Sequence, residues 1–230
     1  MKLFLLALGA FAISGISRAD VNPLMAGVFV KIPGTPVEMA VADITQAQWV
    51  ALMGTNPSEF KGKSNCAEDY RKDPVAMCPN NPVERVTWTE IQTFLARMNT
   101  ANDGYTYRLP SEVEWEKASG GPISTCTLGI FLCAWYRDNA TGQTRAVSTK
   151  APNSLGVYDL YGNVWQFLQD EYTDVPPEPP GPGGGSSRVI RGCAWNSPAS
   201  LCENDRRFGV GSGDRQNYVG FRLVRAPAQR

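Results

Sequence analysis

The sequence contains no histidine in its 230 residues. This absence excludes the Ser-His-Asp and Cys-His pairs that activate a nucleophile in many enzymes. It also excludes zinc and iron sites built on several imidazole ligands. An enzyme of this composition would have to work with thiols, carboxylates, lysine or tyrosine.

The sequence also lacks an excess of charge of either sign. Lys and Arg together number 22, and so do Asp and Glu. A nearly neutral surface offers no electrostatic basis for binding nucleic acid or an anionic membrane. Beyond the N-terminal segment, no stretch is long and apolar enough to cross a bilayer. We therefore predict no nucleic-acid partner and no membrane span.

The N-terminal segment has the pattern of a secretory signal peptide. A basic residue precedes an apolar run over residues 3–13, and the small residues Ser17 and Ala19 precede Asp20. No cysteine lies near the cleavage point, which argues against a lipid anchor. The sequence predicts that residues 1–19 are removed and that the mature chain is periplasmic or secreted.

All six cysteines lie in the predicted mature chain, the even number that is typical of disulfides in an oxidising compartment. They fall into three pairs of near neighbours, and local pairing is the simplest of the fifteen possible connectivities. A zinc site is the alternative, but the sequence has no CxxC spacing and no histidine. The predicted disulfides are Cys66–Cys78, Cys126–Cys133 and Cys193–Cys202.

The local patterns predict short helices and strands joined by many loops. Three stretches place a hydroxyl residue three positions before Glu or Gln, the pattern of a capping box. Gly and Pro number 22 and 17, so loops must cover much of the core. The run VPPEPPGPGGGSS, 175–187, is predicted to be a flexible surface loop. Strands are predicted in GVFVKIP, RVIRG and GFRLV, and helix starts at Thr45, Thr87 and Ser111.

Six stretches, taken in order, resemble the formylglycine-generating enzyme (sulfatase-modifying factor) family. The resemblance implies one α+β domain over 20–230, C-type-lectin-like, loop-rich and with few regular elements. The family includes oxygen-dependent enzymes that make formylglycine, an iron-dependent sulfoxide synthase branch, a pyoverdine-maturation branch and binding proteins. The stretches are MGTNPSEFKG (53–62), NPVERVTW (81–88), YRLPSEVEWEKA (107–118), APNSLGVYDLYGNVWQF (151–167), RVIRGCAW (188–195) and GFRLVR (220–225).

The copper site of the formylglycine-generating enzymes is incomplete in this sequence. Those enzymes hold copper with two cysteines five positions apart, which align here with Ser197 and Cys202. A hydroxyl is a poor ligand for Cu(I), and Cys193 is nine positions from Cys202. We predict that copper does not bind and that Cys193 and Cys202 form a structural disulfide. Cys202 is then the one candidate left for thiol catalysis.

The resemblance also implies a calcium site around GNVWQF. Its ligands would be the side chains of Asp159 and Gln166 and the backbone carbonyls of Gly162 and Val164. Gln166 stands where the family has Glu, which keeps an oxygen ligand but loses a charge and weakens binding. The alternative interpretation is a packed turn with Trp165 in the core.

The segment after RGCAW, 196–220, mixes polar residues with two aromatic ones, a composition typical of recognition loops. It is predicted to form the rim of a shallow site for a protein or peptide partner. The inserts around Cys66–Cys78 and Cys126–Cys133 are the alternative binding surfaces. The predicted rim residues are Asn204, Asp205, Arg206, Phe208, Arg215 and Tyr218.

Two functions remain open at the level of sequence. We favour a non-catalytic binding or accessory protein, because Ser197 interrupts the copper pair and the cysteines are predicted to be paired. The alternative is an oxidoreductase that modifies an exported peptide or protein, of the formylglycine-generating or pyoverdine-maturation type. The sulfoxide synthase branch needs histidine and is excluded. Arg222 of GFR is expected to pair with a buried carboxylate, Glu114 or Glu116.

Overall fold

The computed structural model describes residues 29–72, 74–121, 123, 128–173 and 186–228. The predicted signal peptide, Cys126 and residues 175–185 of the predicted loop lie outside these ranges. The loop prediction is wrong at its end, because Ser187 begins a strand and pairs with Gly211. In the part of the chain that the structure describes, no helix is long and apolar enough to span a membrane.

Four α-helices are present among the described residues, and the first three begin at the predicted capping boxes. Thr45, Thr87 and Ser111 each accept a hydrogen bond from a backbone N–H in the first turn. The first and third helices end at Gly54 and Gly120, whose left-handed backbone suits glycine. The helices are α1 Gln46–Met53, α2 Trp88–Asn99, α3 Glu112–Ser119 and α4 Ile130–Cys133.

Eight short strands form two four-stranded sheets. The first sheet has the order β1-β2-β8-β3 with antiparallel neighbours, and the second has the order β6-β5-β4-β7 with only β4 and β7 parallel. The strands are β1 Phe29–Lys31, β2 Glu38–Ala40, β3 Tyr105–Arg108, β4 Trp165–Glu171, β5 Ser187–Arg191, β6 Arg207–Gly211, β7 Val219–Gly220 and β8 Val224–Pro227.

The segment 221–223 connects the two sheets through the core. The predicted strand GFRLV contributes its first residue to β7 and its last to β8, while the three residues between them are fully buried. The carbonyls of Phe221 and Leu223 accept hydrogen bonds from Ile44 and Ala40 at 2.9 and 2.8 Å. This crossing places Arg222 at the centre of the molecule.

Helix α2 supplies the main aromatic packing of the core. Its apolar residues three and four positions apart, Ile91, Phe94, Leu95 and Met98, are all buried, as their spacing predicts. The ring of Phe94 stacks on Trp49 with centroids 5.4 Å apart. Burial of such large side chains is the dominant favourable term in folding, so the loops rest on one continuous core.

Candidate functional site

The two cysteines around the candidate catalytic segment are bonded to each other. Cys193 and Cys202 form a disulfide with Cα atoms 5.0 Å apart, and both are fully buried. Cys66 and Cys78 form a second disulfide, so both pairs agree with local pairing. Cys133 is also disulfide-bonded. Its predicted partner, Cys126, lies outside the described residues, so that pairing stays a prediction.

Ser197, at the position of the first copper ligand, closes a turn. The residue is buried, and its Oγ accepts a hydrogen bond from the backbone N–H of Ala194 at 3.1 Å. Its own carbonyl accepts one from the backbone N–H of Arg137 at 3.0 Å. Because Cys202 is in a disulfide, this segment has a hydrogen-bonded turn and a disulfide at the positions where the formylglycine-generating enzymes have two thiols.

A buried glutamate, Glu84, supports the loop beside this turn; it lies in the stretch NPVERVTW, which by itself suggested no role for it. The ring of Trp195 meets Phe60 edge to face at 5.2 Å, and the Phe60 N–H donates to Glu84 Oε1 at 3.0 Å. Burial raises the pKa of Glu84 to about 7, although hydrogen bonds from backbone N–H groups oppose the shift. The second carboxyl oxygen of Glu84 has no partner in the described structure.

The side chain of Gln166, a predicted calcium ligand, is fully engaged with protein groups. Its Oε1 accepts hydrogen bonds from Trp115 Nε1 at 2.7 Å and from Arg222 Nε at 2.9 Å. Its Nε2 donates to the carbonyl of Asp159 at 2.7 Å. Both acceptor positions of the amide oxygen are therefore occupied.

The other three predicted ligands are all buried in the turn before β4. Asp159 Oδ2 accepts from the Ser148 N–H at 2.7 Å, and Oδ1 has no partner in the described structure. Gly162 and Val164 are buried beside it, and the Gly162 N–H donates to Gly192 O at 2.9 Å. Among the predicted side-chain ligand atoms, Asp159 Oδ1 is therefore the one that accepts no hydrogen bond from the described residues.

Arg222 forms the centre of this buried network. Its Nη2 lies 3.1 Å from Asp43 Oδ1 and donates to the carbonyl of Tyr158 at 2.8 Å. Burial raises the pKa of Asp43 to about 8, and the Arg222 charge opposes this shift. Burial also raises the pKa of Asp159 to about 6, again opposed by Arg222. Two buried carboxyl groups therefore share one guanidinium.

The expected partners of Arg222 are wrong. Glu114 pairs with Arg108 at 2.6 Å, and Glu116 pairs with Arg191 at 3.0 Å. Both glutamates lie on α3, whereas Arg222 faces the loop before α1. Asp43 was missed because it lies 179 positions from Arg222 and belongs to no recognisable motif.

The contacts do not favour the predicted calcium site. Among the described residues there is no group of three or more Cys, Asp or Glu side chains that could hold a metal ion. The guanidinium of Arg222 already supplies positive charge next to Gln166, and a second cation there would be repelled. These contacts favour the packed-turn alternative; the following experiment decides whether calcium binds, and no step of the proposed function depends on it.

We expect calcium to leave the thermal stability of this protein unchanged. A ligand that binds only the folded state raises its melting temperature, but Gln166 has no free oxygen to offer. The measurement is the melting temperature in calcium and in chelator. Gln166→Glu restores a charge and is the matched variant. A calcium-dependent rise in the melting temperature of the unmodified protein would contradict this expectation. A rise in the variant alone would show that glutamine at position 166 is the reason why the unmodified protein does not bind calcium.

Two of the six predicted rim residues have side chains bound to the protein itself. Asn204 Oδ1 accepts hydrogen bonds from the hydroxyls of Ser119 and Tyr161 at 2.9 and 3.1 Å. Arg215 pairs with Glu90 at 2.6 Å. These contacts favour an architectural role for Asn204 and Arg215, and partner binding by either residue stays a prediction.

The other four rim residues differ in their exposure. Asp205 and Arg206 are exposed, and Tyr218 is partly buried. Phe208 is 40% exposed and meets the ring of Trp165 edge to face at 5.3 Å. Asp205, Arg206 and Phe208 therefore remain the open part of the predicted surface.

A cavity of about 440 Å³ adjoins both predicted sites, because it is lined by Asp159, a predicted calcium ligand, and by Tyr161, which donates a hydrogen bond to Asn204. It is lined by the C-terminal end of α3, by Leu128 and Cys133, and by the segment 151–161. Its walls combine apolar side chains with the polar groups of Asn153 and Tyr161. This combination of an apolar lining with a few polar groups is typical of ligand-binding cavities.

Two small sheets, a buried crossing segment, capped short helices and long ordered loops define a domain of the C-type-lectin-like class. The solved structure of Treponema denticola variable protein 1 is similar, with a TM-score of 0.70 and 27% identity over 83% of this chain and 84% of that one. PvdO from Pseudomonas aeruginosa shares the fold, with a TM-score of 0.62 and 22% identity over 83% and 80% of the two chains.

The family model of the sulfatase-modifying factor enzyme 1-like domain matches residues 30–227, so the chain belongs to this family. The predicted family and fold class are confirmed. The Chaperone protein LppX of Paenibacillus barcinonensis is 28% identical over 85% of this chain and 79% of its own length. A formylglycine-generating enzyme of Thermomonospora curvata is 29% identical over 76% of this chain, which spans only 61% of that enzyme.

Membership of this family does not decide the activity. The relatives include enzymes, among them a hercynine oxygenase of Mycolicibacterium thermoresistibile that is 27% identical over 64% of this chain and 36% of its own length. They also include proteins that are not named as enzymes, such as the chaperone and the variable protein. Function must therefore be argued from the residues of the site.

Proposed function

We propose that this chain is an exported, non-catalytic binding or accessory protein that recognises a protein or peptide partner. The observation that carries the proposal is the Cys193–Cys202 disulfide beside the buried Ser197. A thiolate is the nucleophile and the soft-metal ligand in thiol chemistry. A disulfide and a hydrogen-bonded hydroxyl provide neither.

Export is supported by two independent features of the chain. Residues 1–19 have the composition of a signal peptide. The disulfides Cys66–Cys78 and Cys193–Cys202 are of the kind that persists in the periplasm or outside the cell. We therefore place the mature protein in one of these oxidising compartments.

A protein or peptide partner is supported by the relatives and by the surface. A relative that aligns over most of both chains is named a chaperone, and chaperones bind proteins. Phe208 is an aromatic side chain left exposed beside the charged Asp205 and Arg206. Such a mixture of an aromatic anchor with adaptable polar groups is typical of recognition surfaces.

The alternative function is an oxidoreductase that modifies an exported peptide or protein. It is supported by the 29% sequence identity to a formylglycine-generating enzyme and by Cys202, which aligns with the second copper-binding cysteine of those enzymes. It would require Cys202 to be released from its disulfide. The two functions therefore differ in the number of thiols that the secreted protein carries.

We expect the unreduced, denatured protein to contain no free thiol and to leave a sulfatase-motif peptide unconverted, even with Cu(I) and oxygen. Thiol titration measures the first result, and mass spectrometry of the peptide measures the second. The matched variant combines Cys193→Gly with Ser197→Cys, which places two thiols at the family spacing. Robust conversion by the unmodified protein would overturn the proposed function.

A further inference from the structure

Three of the five large apolar side chains that are exposed among the described residues lie at one place. Leu128, Phe131 and Leu132, in α4 and just before it, are 58, 57 and 50% exposed. Large apolar side chains grouped on a surface mark interaction sites more often than single exposed ones do. We call these three residues the α4 patch.

The α4 patch is held on an ordered scaffold. The Ala151 N–H donates to Leu132 O at 3.0 Å, and Asn139 Nδ2 donates to the carbonyls of Phe131 and Ala134 at 3.2 and 2.9 Å. The neighbouring Cys133 is disulfide-bonded. These bonds fix the backbone of α4 with its apolar side chains outward, which lowers the entropy lost when a partner binds.

Lys150 borders the patch, and Arg145 lies over the same Trp135 ring as Lys150. The Nζ of Lys150 lies 4.0 Å from the ring centroid of Trp135 and 4.9 Å from that of Phe131, and it donates to the Phe131 carbonyl. The guanidinium of Arg145 lies 5.6 Å from the Trp135 centroid. Within the described ranges neither cation forms a salt bridge with an acid. Their charge complements an anionic group on a partner.

The cavity of about 440 Å³ adjoins the same patch. Leu128 both lines this cavity and is largely exposed, and Ala151 lines it next to Lys150. An apolar side chain entering from outside would pass Leu128 and would meet Val157 and Leu160 inside. The cavity thus continues the α4 patch inward.

We propose that the α4 patch and its cavity bind an extended segment of a partner protein in which apolar side chains neighbour carboxylates. The apolar side chains would cover the patch and fill the cavity, and the carboxylates would pair with Lys150 and Arg145. The proposal rests on the proposed function in that it names the partner class and where it docks. The main contact would then lie on α4, next to Cys133, and not on the predicted rim.

A lipid surface is the other occupant that exposed apolar residues and cations could fit. The cavity favours a peptide, because a bilayer lying across its mouth would seal the Asp159 carboxyl, whose Oδ1 has no partner in the described structure, away from water. A peptide presents individual side chains and backbone groups that enter and form hydrogen bonds there.

The test is a peptide array probed with the full mature protein. The array carries the core Glu-Phe-Leu-Glu between randomised flanks, with matched cores Lys-Phe-Leu-Lys and Glu-Ser-Ser-Glu. We expect selective retention on the first core.

The double change Phe131→Ser with Leu132→Ser should weaken binding about tenfold or more, the loss typical of interface anchors. Lys150→Glu should shift the preference toward the Lys core. Val113→Ser alters an exposed apolar residue elsewhere, on α3, and should change nothing.

Several outcomes overturn this proposal. They are no retention of any peptide by the unmodified protein, equal binding by the patch variants, or no response of charge preference to Lys150→Glu. Retention on phosphatidylglycerol vesicles without peptide selectivity would favour a lipid surface instead. If peptides bind equally to the patch variants but less to Phe208→Ala and Tyr218→Ala, the proposed function stands and the predicted rim is the site. Conversion of a sulfatase peptide would overturn the proposed function while leaving the array result to stand alone.

Discussion

Replacing Arg222 by methionine should destabilise the fold by about 3–5 kcal/mol, the usual cost of removing one partner of a buried ion pair. The guanidinium is fully buried and contacts Asp43 at 3.1 Å, Gln166 at 2.9 Å and the carbonyls of Tyr158 and Ala40 at 2.8 and 3.2 Å. Methionine has a similar length but donates no hydrogen bond. The buried oxygens that Arg222 bonds would lose their donor, and the buried Asp159 carboxyl would lose the positive charge that lowers its pKa. Urea unfolding followed by circular dichroism measures the loss.

The loss from Arg222→Met should be larger near pH 8 than near pH 5. Asp43 has a pKa of about 8 and is neutral in both proteins at lower pH, so the difference comes from Asp159. Burial raises the pKa of Asp159 to about 6 against the opposing Arg222 charge, and removing that charge would raise it further. An acid with a raised folded-state pKa binds more protons when folded, so its stability falls as the pH rises from the unfolded pKa to the folded one. The variant therefore keeps losing stability above about pH 6, where Asp159 of the unmodified protein is already ionised, whereas at pH 5 this carboxyl is mostly neutral in both folded proteins.

Arg206→Met is the matched control for the arginine change. Arg206 is exposed and lies 3.5 Å from the exposed Asp205, so its loss should cost less than about 1 kcal/mol. A cost for Arg222→Met no larger than that of the control would contradict the central role given to Arg222. A loss independent of pH would show that the buried carboxyl groups do not change protonation.

Removing the Cys193–Cys202 disulfide should cost about 2 kcal/mol. The bond closes a loop with a sequence separation of 9, and constraining such a loop in the unfolded chain contributes about 2–3 kcal/mol. The suitable variant is Cys193→Gly with Cys202→Ala, because Cys193 has φ 67° and glycine tolerates that backbone. Glycine also relieves the strain of a Cβ atom at this position, and this relief offsets about 1 kcal/mol of the loss. The urea midpoint of variant and unmodified protein measures the difference.

The disulfide variant also separates structure from redox function. It leaves no thiol at either position, so it should retain partner binding wherever it remains folded. A reducing agent breaks all accessible disulfides in both proteins. The unmodified protein should therefore lose more stability on reduction than the variant does, and the difference is the contribution of Cys193–Cys202. A variant as stable as the unmodified protein would contradict the role of a clip and would revive a redox function for Cys202.

The local features of this fold were predictable because short-range physics determines them. A hydroxyl at Thr45, Thr87 or Ser111 caps a helix through neighbouring N–H groups, and the spacing of apolar residues in α2 fixes its buried face. The order of six motifs was enough to predict the family and the fold class. The pairing of Cys193 with Cys202 was predictable because nearby cysteines meet most easily.

The side-chain partners were decided only by the tertiary structure. Arg222 meets Asp43 because the crossing between the sheets carries it under the loop before α1, a contact between residues 179 positions apart. The same burial takes up the oxygen of Gln166, which the sequence had suggested for calcium. The packing also decided that Asn204 turns inward while Phe131 faces solvent. Hydrogen bonds and burial of this kind depend on which distant segments meet, and the sequence determines that only through the whole fold.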